Sequence, residues 1–191
     1  MVISELNTQR LALEPFANRH SSGMFALWSS PEVCRFSGPA ADLHGRAIQL
    51  PAKSPADSDR ILEFFMVLQQ RGHAVRWAMT LHDGTFVGAV GYNALGPCCE
   101  LAFHQLPAYW GQGFMTEACR AVIDWVFARA GAGVDAIEID AFVEARNTAS
   151  MRLLTRLGFV ATHAARDGAK RYLLDAPTGN AMSRDANRGQ S

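Results

Sequence analysis

The sequence predicts an α+β fold in which a mixed, mostly antiparallel sheet of about seven strands carries helices on both faces. Segments of strand-like alternation recur along the chain and are separated by segments with helical spacing of apolar residues. Three strand-like segments follow one another through short turns, which makes antiparallel neighbours. A later strand follows a long helix, which makes a parallel crossover. With 191 residues, 49% of them hydrophobic, the chain can bury the core that this fold needs.

The N-terminal half is predicted to run from one strand through helices into a three-stranded meander. Pro15 ends the alternation of the first strand, and Asp83-Gly84 is a strong hairpin signal between two apolar segments. Residues 38–58 contain three prolines and are interpreted as a loop or a broken helical connection. The predicted elements are a strand at 10–16, helices at 22–30 and 58–71, and strands at 74–81, 85–92 and 100–106.

The C-terminal half alternates between helix and strand. Gly131 and Gly133 are expected to end a long amphipathic helix, and Gly158 is expected to end a shorter one. Asp167-Gly168 is expected to form the turn between the last two strands. The predicted elements are a helix at 113–130, a strand at 136–143, a helix at 147–157, and strands at 159–163 and 171–174.

Composition argues against several classes of protein. Lys and Arg number 18 and Asp and Glu number 18, so a surface built mainly to hold nucleic acid is not expected. No apolar run approaches the roughly 18 residues of a membrane span, and no signal pattern begins the chain. The four cysteines include no CxxC pair, which argues against a disulfide framework or a metal site and fits a reducing cytoplasm. Residues 1–176 are expected to form one domain, and 177–191 a disordered tail.

A strand that leads through a glycine-containing turn into a helix is the most informative segment. In LAFHQLPAYWGQGFMTEA (101–118), Gly111 and Gly113 stand just before the helix. A helix start has unpaired N–H groups and a partial positive charge, and glycine lets backbone approach a phosphate closely. No lysine follows Gly113, and Thr116 stands where GxGxxG would need glycine, so neither nucleotide fingerprint is present. A tight turn without a ligand is the other reading of this segment.

The second informative segment is NTASMRLLTRLGF (147–159). Asn147 stands where a helix N-cap would stand, Ser150 lies three residues later on the same side, and Gly158 ends the helix. Taken alone, these residues favour a purely structural role of capping and termination.

Together the two segments resemble the GNAT superfamily of N-acetyltransferases, and more closely its branch that acetylates the N-terminal amines of ribosomal proteins. The resemblance runs from about residue 8 to residue 174, in matching order and spacing. It is carried by TQRLAL (8–13), SPEV (30–33), FVGAVG (86–91), ELAF (100–103), YWGQGFMTEA (109–118) and the segment at 147–159.

The resemblance implies a GNAT-like fold and acetyl-CoA as the acetyl donor. In this family the pantetheine arm lies in a wedge between two parallel strands, here expected at 100–106 and 136–143. Trp110 stands where the family commonly has Arg or Gln, as is usual in this branch. Met115 replaces a small residue, and its side chain is a potential obstruction to the coenzyme. The implied coenzyme-binding residues are Phe103, Gln105, Gly111, Gln112, Gly113, Phe114, Met115, Thr116 and Asn147.

The chemistry of a thioester narrows the catalytic candidates. The reaction needs a positioned neutral amine, a base or water chain that takes its proton, and a partner for the leaving thiolate. Glu100 is the candidate base, because many family members carry a catalytic glutamate there; an ion-paired structural carboxylate is the other reading. Ser150 matches the branch's helix serine near the coenzyme sulfur, and the tyrosine that many members use instead falls at Leu154. His104 ranks below Glu100.

The sequence thus predicts a cytoplasmic enzyme that moves an acetyl group from acetyl-CoA to a primary amine of a peptide N-terminus or a small molecule. Two alternatives stay open: an acyl-CoA-binding regulatory module without turnover, and a nucleotide-phosphate enzyme that uses residues 111–113. Neither nucleic acid, a membrane nor a metal is expected as a partner, and a homodimer is left open. Phe36 and residues 38–53 are a hypothesised lining of the acceptor pocket.

Overall fold

A computed structural model describes residues 3–128 and 134–177 of the protein. The helices in these residues are α1 (Ser21–Trp28), α2 (Pro31–Cys34), α3 (Pro55–Gln70), α4 (Phe114–Ala128) and α5 (Thr148–Arg156). The strands are β1 (Leu6–Asn7), β2 (Leu11–Pro15), β3 (Ala40–Ala41), β4 (Ala47–Ile48), β5 (Val75–Leu81), β6 (Phe86–Ala94), β7 (Cys98–Gln105), β8 (Glu138–Glu144), β9 (Val160–Arg166) and β10 (Ala169–Asp175).

Eight of these strands form one mixed sheet in the order β1-β2-β5-β6-β7-β8-β10-β9. β7 and β8 pair in parallel, and every other pair in the described sheet is antiparallel. The predicted mixed, mostly antiparallel sheet is therefore confirmed, with one strand more than expected. The added strand, β1, has two residues, which is too short to produce an alternation pattern in the sequence.

Apolar layers cover the two faces of the sheet. On one face, α4 and α5 pack against inward side chains such as Trp77 of β5 and Tyr92 of β6, both fully buried. On the other face, α1, α2 and α3 pack against small residues, Ala78 of β5 and Ala89 of β6. The alternation of side chains along a strand sends Trp77 and Ala78 to opposite layers. Helices on both faces were predicted, and both layers depend on the same strands.

Helix α3 begins at Pro55, earlier than the predicted start at residue 58. The backbone N–H and the hydroxyl of Ser54 donate to the Asp57 carboxylate at 3.0 and 2.9 Å. Pro55 stands in the first turn, where a helix needs no N–H donor and the fixed φ of proline is favourable. Pro55, which lies in the segment interpreted as a loop or a broken helical connection, therefore starts the helix. Residues 38–58 therefore contain both the β3–β4 hairpin and the first residues of α3.

The remaining predicted helices and strands each coincide with an observed element, with ends that differ by a few residues. The short helix α2 was not predicted; its N-cap is Ser30, whose hydroxyl accepts the Val33 N–H at 3.3 Å. Gly131 and Gly133, and the expected tail from residue 178 onward, lie outside the described residues. Among the described helices, none has the length and apolarity to cross a membrane.

Candidate active site

The parallel strands β7 and β8 separate partway along their length. β7 continues to Gln105 and β8 to Glu144, yet their pairing stops at Glu100 and Asp140. A wedge therefore opens beyond this last pair, where the resemblance implies a pantetheine arm. The pairs that join the two strands are Cys98–Glu138, Cys99–Ile139 and Glu100–Asp140.

The backbone of β7 faces its two neighbours alternately. The Leu106 N–H, just after β7, donates to the Val87 carbonyl of β6 at 3.0 Å. Because successive backbone groups of a strand point to opposite sides, those of Phe103 and Gln105 point away from β6, toward the wedge. The Gln105 carbonyl accepts the indole N–H of Trp110 at 2.8 Å. The carbonyl of Gln105 is thus already engaged, and Phe103 is the residue whose backbone faces the open wedge.

The turn between β7 and α4 presents a run of backbone N–H groups. Gly111 and Gly113 have φ angles of 74° and 82°, in the left-handed region that favours glycine. The first hydrogen bond of α4 runs from the Glu117 N–H to the Gly113 carbonyl at 3.1 Å. Within the described chain, the N–H groups of residues 111–116 donate to no protein acceptor. Adjacent free donors at a helix N-terminus form an anion-binding surface.

Arg10, just before β2, holds this turn in place. Its Nε and Nη2 atoms both donate to Glu117 Oε2 at 2.7 Å, and its Nη1 donates to the Gln112 carbonyl at 2.9 Å. The Arg10 backbone N–H and the Thr8 hydroxyl donate to Glu117 Oε1 at 2.8 and 2.7 Å. Arg10 and Glu117 both lie in the motifs that carry the family resemblance. Their pairing could not be predicted from the sequence, because no local pattern links residues 107 positions apart.

The side chains at the start of α4 point into the core. Phe114 and Met115 are each 8% exposed and belong to the layer on the α4 face. The Arg10 guanidinium lies 4.5 Å from the centre of the Phe114 ring. The Met115 side chain is thus removed from the open side of the turn, so the obstruction considered from the sequence does not arise. Thr116 stays partly exposed in the first turn.

The second sequence segment forms α5, and Asn147 caps it as predicted. Asn147 Oδ1 accepts the Ser150 N–H at 3.1 Å, which satisfies one of the free donors of the first turn. In the described part of the chain, neither the Asn147 amide nitrogen nor the Ser150 hydroxyl has a hydrogen-bond partner. Because β8 ends at Glu144, Asn147 stands close to the wide end of the wedge, and Ser150 lies three residues further along, in the first turn of α5.

An open groove of about 510 Å³ follows the exposed side of α5. Arg152 and Arg156 are exposed and make this groove cationic. Neither arginine was predicted as a site residue, although their i, i+4 spacing places them on one face of the helix. The groove is lined by Thr148, Met151, Arg152, Thr155 and Arg156.

Glu100, at the closed end of the wedge, is held by two side chains. Its Oε1 accepts from Asn93 Nδ2 at 2.9 Å, and its Oε2 accepts from the Arg166 guanidinium at 2.7 Å. Asn93 is the extra residue at a register shift between β6 and β7, a bulge that re-aims its side chain. The Glu100 side chain is 21% exposed. It is thus an ion-paired strand carboxylate that also reaches the surface at the point where the wedge begins.

Arg76 of β5 and His104 of β7 extend this network. Arg76 is 2% exposed; its Nη1 donates to Asn93 Oδ1 at 3.1 Å and its Nη2 donates to His104 Nδ1 at 3.3 Å. Burial, with the charge of Arg76, lowers the pKa of His104 to about 3, so the imidazole is neutral and a weak base. Burial also lowers the pKa of Arg76, to about 10, against the opposing effect of Glu100, and the guanidinium stays charged at neutral pH.

The cysteines carry protonated thiols rather than reactive thiolates. Burial raises the pKa of Cys98 to about 12, and burial also raises the pKa of Cys119 in the core. Among the residues that the structure describes, no cluster of three or more His, Cys, Asp or Glu is arranged to hold a metal ion.

Residues 40–48, part of the expected lining of the acceptor pocket, form the β3–β4 hairpin. Asp42 is 4% exposed and accepts from the backbone N–H groups of His44 and Arg46 at 2.9 and 3.0 Å. Its carboxylate also lies 3.9 Å from the Arg60 guanidinium of α3. The hairpin is thus fastened to α3, and its part in binding an acceptor stays a prediction.

Comparison with known families identifies the class of this protein. The family model for the acetyltransferase (GNAT) domain matches residues 10–160, most of the chain. The protein belongs to the GNAT family of acetyltransferases, which confirms the resemblance described from its motifs.

Relatives and solved structures agree with this assignment. The N-acetyltransferase YoaA of Bacillus subtilis is 27% identical over 158 residues, 81% of either chain. An acetyltransferase from Agrobacterium tumefaciens has a similar structure, with a TM-score of 0.70 at 21% identity over 91% of this chain and 95% of its own. RimL, a ribosomal alpha-N-protein acetyltransferase solved in complex with coenzyme A, has a TM-score of 0.72 at 16% identity over 90% and 98%. These structures confirm the fold.

Proposed function

We propose that this protein transfers the acetyl group of acetyl-CoA to a primary amine by direct attack of the amine on the thioester. The proposal rests on the run of unpaired N–H groups at residues 111–116, next to the wide end of the wedge between β7 and β8. An anionic diphosphate suits the first feature, and a narrow polar arm suits the second. Coenzyme A has both parts, and the similarly folded RimL is named as a coenzyme A complex.

The sequence-predicted residues then take separate parts of the coenzyme. The diphosphate accepts from the N–H groups of residues 111–116, beside the hydroxyl of Thr116. The pantetheine arm extends the sheet along Phe103, and Gln105 takes part through its N–H, because Trp110 occupies its carbonyl. Asn147 adds its amide nitrogen at the wide end. An arm that runs from the glycine turn toward the last strand pair brings the thioester next to Glu100.

The transfer needs no covalent enzyme intermediate. The amine nitrogen forms a bond to the thioester carbonyl carbon, and collapse of the tetrahedral adduct breaks the C–S bond. The proton of the amine passes to Glu100, directly or through water, and then leaves through solvent. The departing sulfur accepts a hydrogen bond from the Ser150 hydroxyl and takes up a proton from solvent. The products are the N-acetylated amine and coenzyme A.

One observation favours a second candidate, an acyl-CoA-binding module without turnover. Both carboxylate oxygens of Glu100 already have partners, Asn93 and Arg166, as in a purely structural ion pair. An amine substrate would have to compete with these partners for the carboxylate.

Replacing Glu100 with Gln separates the two candidates. We expect Glu100→Gln to lower kcat by about 100-fold or more, the usual contribution of a general base, and to leave the Kd of acetyl-CoA nearly unchanged. The assay measures thiol release with a panel of peptide N-termini, amino sugars, polyamines and amino acids, and calorimetry measures the Kd.

Glu138→Gln is the matched control. Glu138 is also a strand carboxylate paired with an arginine, Arg171 at 3.1 Å, but it lies at the start of β8. Equal losses in both variants would remove Glu100 as the base. Tight binding of acetyl-CoA without thiol release for any amine in the panel would establish the binding module instead.

A further inference from the structure

Arg76 is a buried cation with no carboxylate in ion-pair contact among the described residues. Its hydrogen-bond partners, Asn93 Oδ1 and His104 Nδ1, are both neutral acceptors, and its Nε is buried without a partner. Buried charges in proteins are usually paired, because desolvating an unpaired ion is costly. An exception of this kind, in contact with the residue that orients Glu100, points to a functional role.

A second buried donor lies at the same place. Trp28 of α1 is 5% exposed, and its indole N–H has no acceptor within the described structure. Its ring packs on the His104 ring with centres 4.7 Å apart, and Arg76 donates to the Nδ1 atom of the same imidazole. Donors from two elements therefore surround His104 without enough acceptors, which is the pattern expected beside an acceptor-rich ligand.

The charged side chains of this network sum to a positive charge. We name Arg76, Asn93, Glu100, His104 and Arg166 the acceptor cluster; it contains two guanidinium groups and one carboxylate. Arg166 is 52% exposed, and its guanidinium lies 3.7 Å from the centre of the Phe142 ring of β8 while it binds Glu100 of β7. It thus spans the wedge and is the cation that a ligand can touch directly, with Arg76 fixed beneath.

We propose that the amine substrate carries a carboxylate a few bonds from its nitrogen, and that the acceptor cluster binds this carboxylate. This inference rests on the proposed function, because the cluster faces an acceptor only if the thioester lies at Glu100. The amine faces Glu100. The carboxylate binds Arg166 directly and is attracted at longer range by the positive charge of Arg76, so each charge of the ligand lies near an opposite charge of the protein. A polyamine or amino sugar would bring only positive charge to a positive cluster, which disfavours it. Free amino acids and peptides with an acidic residue near the N-terminus share the required chemistry.

Matched acceptors that differ only in the carboxylate test this proposal. The pairs are L-amino acids with their carboxamides, and peptides with Asp or Asn at the second position. We expect kcat/KM to favour the acid by about 10-fold or more in at least one pair, the usual effect of a charge-assisted hydrogen bond. The pair that shows the effect identifies the free amino acid or the peptide as the source of the carboxylate.

Variants of the two arginines locate the effect. Arg166→Gln and Arg76→Gln are expected to reduce the preference for the acid to within about twofold, and Arg76→Lys, which keeps the charge, to retain most of it. Arg19→Gln is the control, because Arg19 is a surface arginine paired with Glu14 away from the cluster. The Kd of acetyl-CoA stays unchanged in all four. If Arg76→Gln fails to fold, the exposed Arg166→Gln decides.

Product binding separates this inference from the transfer itself. The N-acetylated forms of the same pairs are titrated into the protein in the presence of coenzyme A and followed by calorimetry. Tighter binding of the acids, lost in Arg166→Gln, supports the carboxylate site even if no amine releases thiol, in which case only the transfer fails. Equal binding and equal turnover of acids and amides overturn the carboxylate site, as does a preference for polyamines, while thiol release by any amine leaves the acetyl transfer standing.

Discussion

Gly111 and Gly72 have almost the same backbone but different neighbours. Their φ angles are 74° and 72°, and an added Cβ at either would meet no atom within 4 Å. A substitution therefore costs similar backbone strain at both positions. Gly111 borders the free N–H groups before α4, whereas Gly72 follows the end of α3. Comparing the same substitution at Gly111 and at Gly72 therefore separates the backbone strain that a side chain causes from its effect on anion binding.

We expect Gly111→Glu to raise the Kd of acetyl-CoA by about 10-fold or more, because its carboxylate enters a surface that should bind phosphates. Gly72→Glu should leave the Kd unchanged. Calorimetric titration gives both values, and thermal unfolding verifies that the two variants lose similar stability. An equal Kd in both variants would contradict phosphate binding at this turn.

Single residues also set the limit of what the sequence could predict about the site. The glycine turn and the Asn147 cap are visible because their signals are local: a residue type at a fixed offset from a helix start. The clamp of Arg10 on Glu117 joins the residue just before β2 to α4, and the network around Arg76 joins β5, β6 and β7, so both depend on contacts between separate elements. The bulge that places Asn93 beside Glu100 leaves no trace in the local pattern, so this part of the candidate site could not be derived.

At the scale of elements, the ends of helices carry the most information about the site. The Ser54 hydroxyl donates to the Asp57 carboxylate where α3 starts, and the Asn147 side chain accepts the Ser150 N–H where α5 starts. Periodicity and turn signals located the longer helices and strands to within a few residues, but they did not reveal α2, β1 or the β3–β4 hairpin. They could not show where β7 and β8 part, because the divergence depends on pairing between strands rather than on either sequence.

Asn147→Asp tests whether the cap residue also binds the coenzyme. An aspartate keeps an oxygen for the Ser150 N–H and adds a favourable charge at the helix start, so stability should stay within about 0.5 kcal/mol of the natural protein. Asn147→Ala should lose about 1 kcal/mol. Both variants lose the amide donor, and we expect both to raise the Kd of acetyl-CoA severalfold. Calorimetry measures the Kd, and denaturant unfolding measures the stability. If Asn147→Asp binds acetyl-CoA as tightly as the natural protein does, Asn147 serves only as the helix cap.

At the scale of the whole molecule, two apolar layers share one sheet, and His104 lies between the sheet and α1. The pKa of His104 is lowered to about 3 in the folded protein, mainly by burial, from an ordinary value near 6.5. Between these values the unfolded chain takes up a proton that the folded protein does not. The free energy of unfolding must therefore fall as the pH falls below about 6.5, and the effect is absent above that pH.

We expect His104 to account for a loss of about 2 kcal/mol between pH 6.5 and 5, from about 1.4 kcal/mol per pH unit for one proton. His20, whose pKa is also lowered by burial, acts in the same direction, so the contribution of His104 is taken from the difference between proteins. His104→Gln should lose correspondingly less over this range, and His82→Gln, at an exposed hairpin, should behave as the natural protein does. Denaturant titrations at both pH values measure the free energy of unfolding. An equal loss of stability between pH 6.5 and 5 in His104→Gln and in the natural protein would contradict the prediction.

Because the β7–β8 pairing ends early, few hydrogen bonds join the two parts of the large sheet at this boundary. Five strands of the large sheet lie on one side of it and three on the other, with three residue pairs as the ladder between them. A ligand that binds between β7 and β8 would form hydrogen bonds with both parts of the sheet and hold them together. If acetyl-CoA lies in this gap as proposed, it adds hydrogen bonds between the two parts of the sheet where the protein itself has few, so saturation with acetyl-CoA should rigidify the whole molecule.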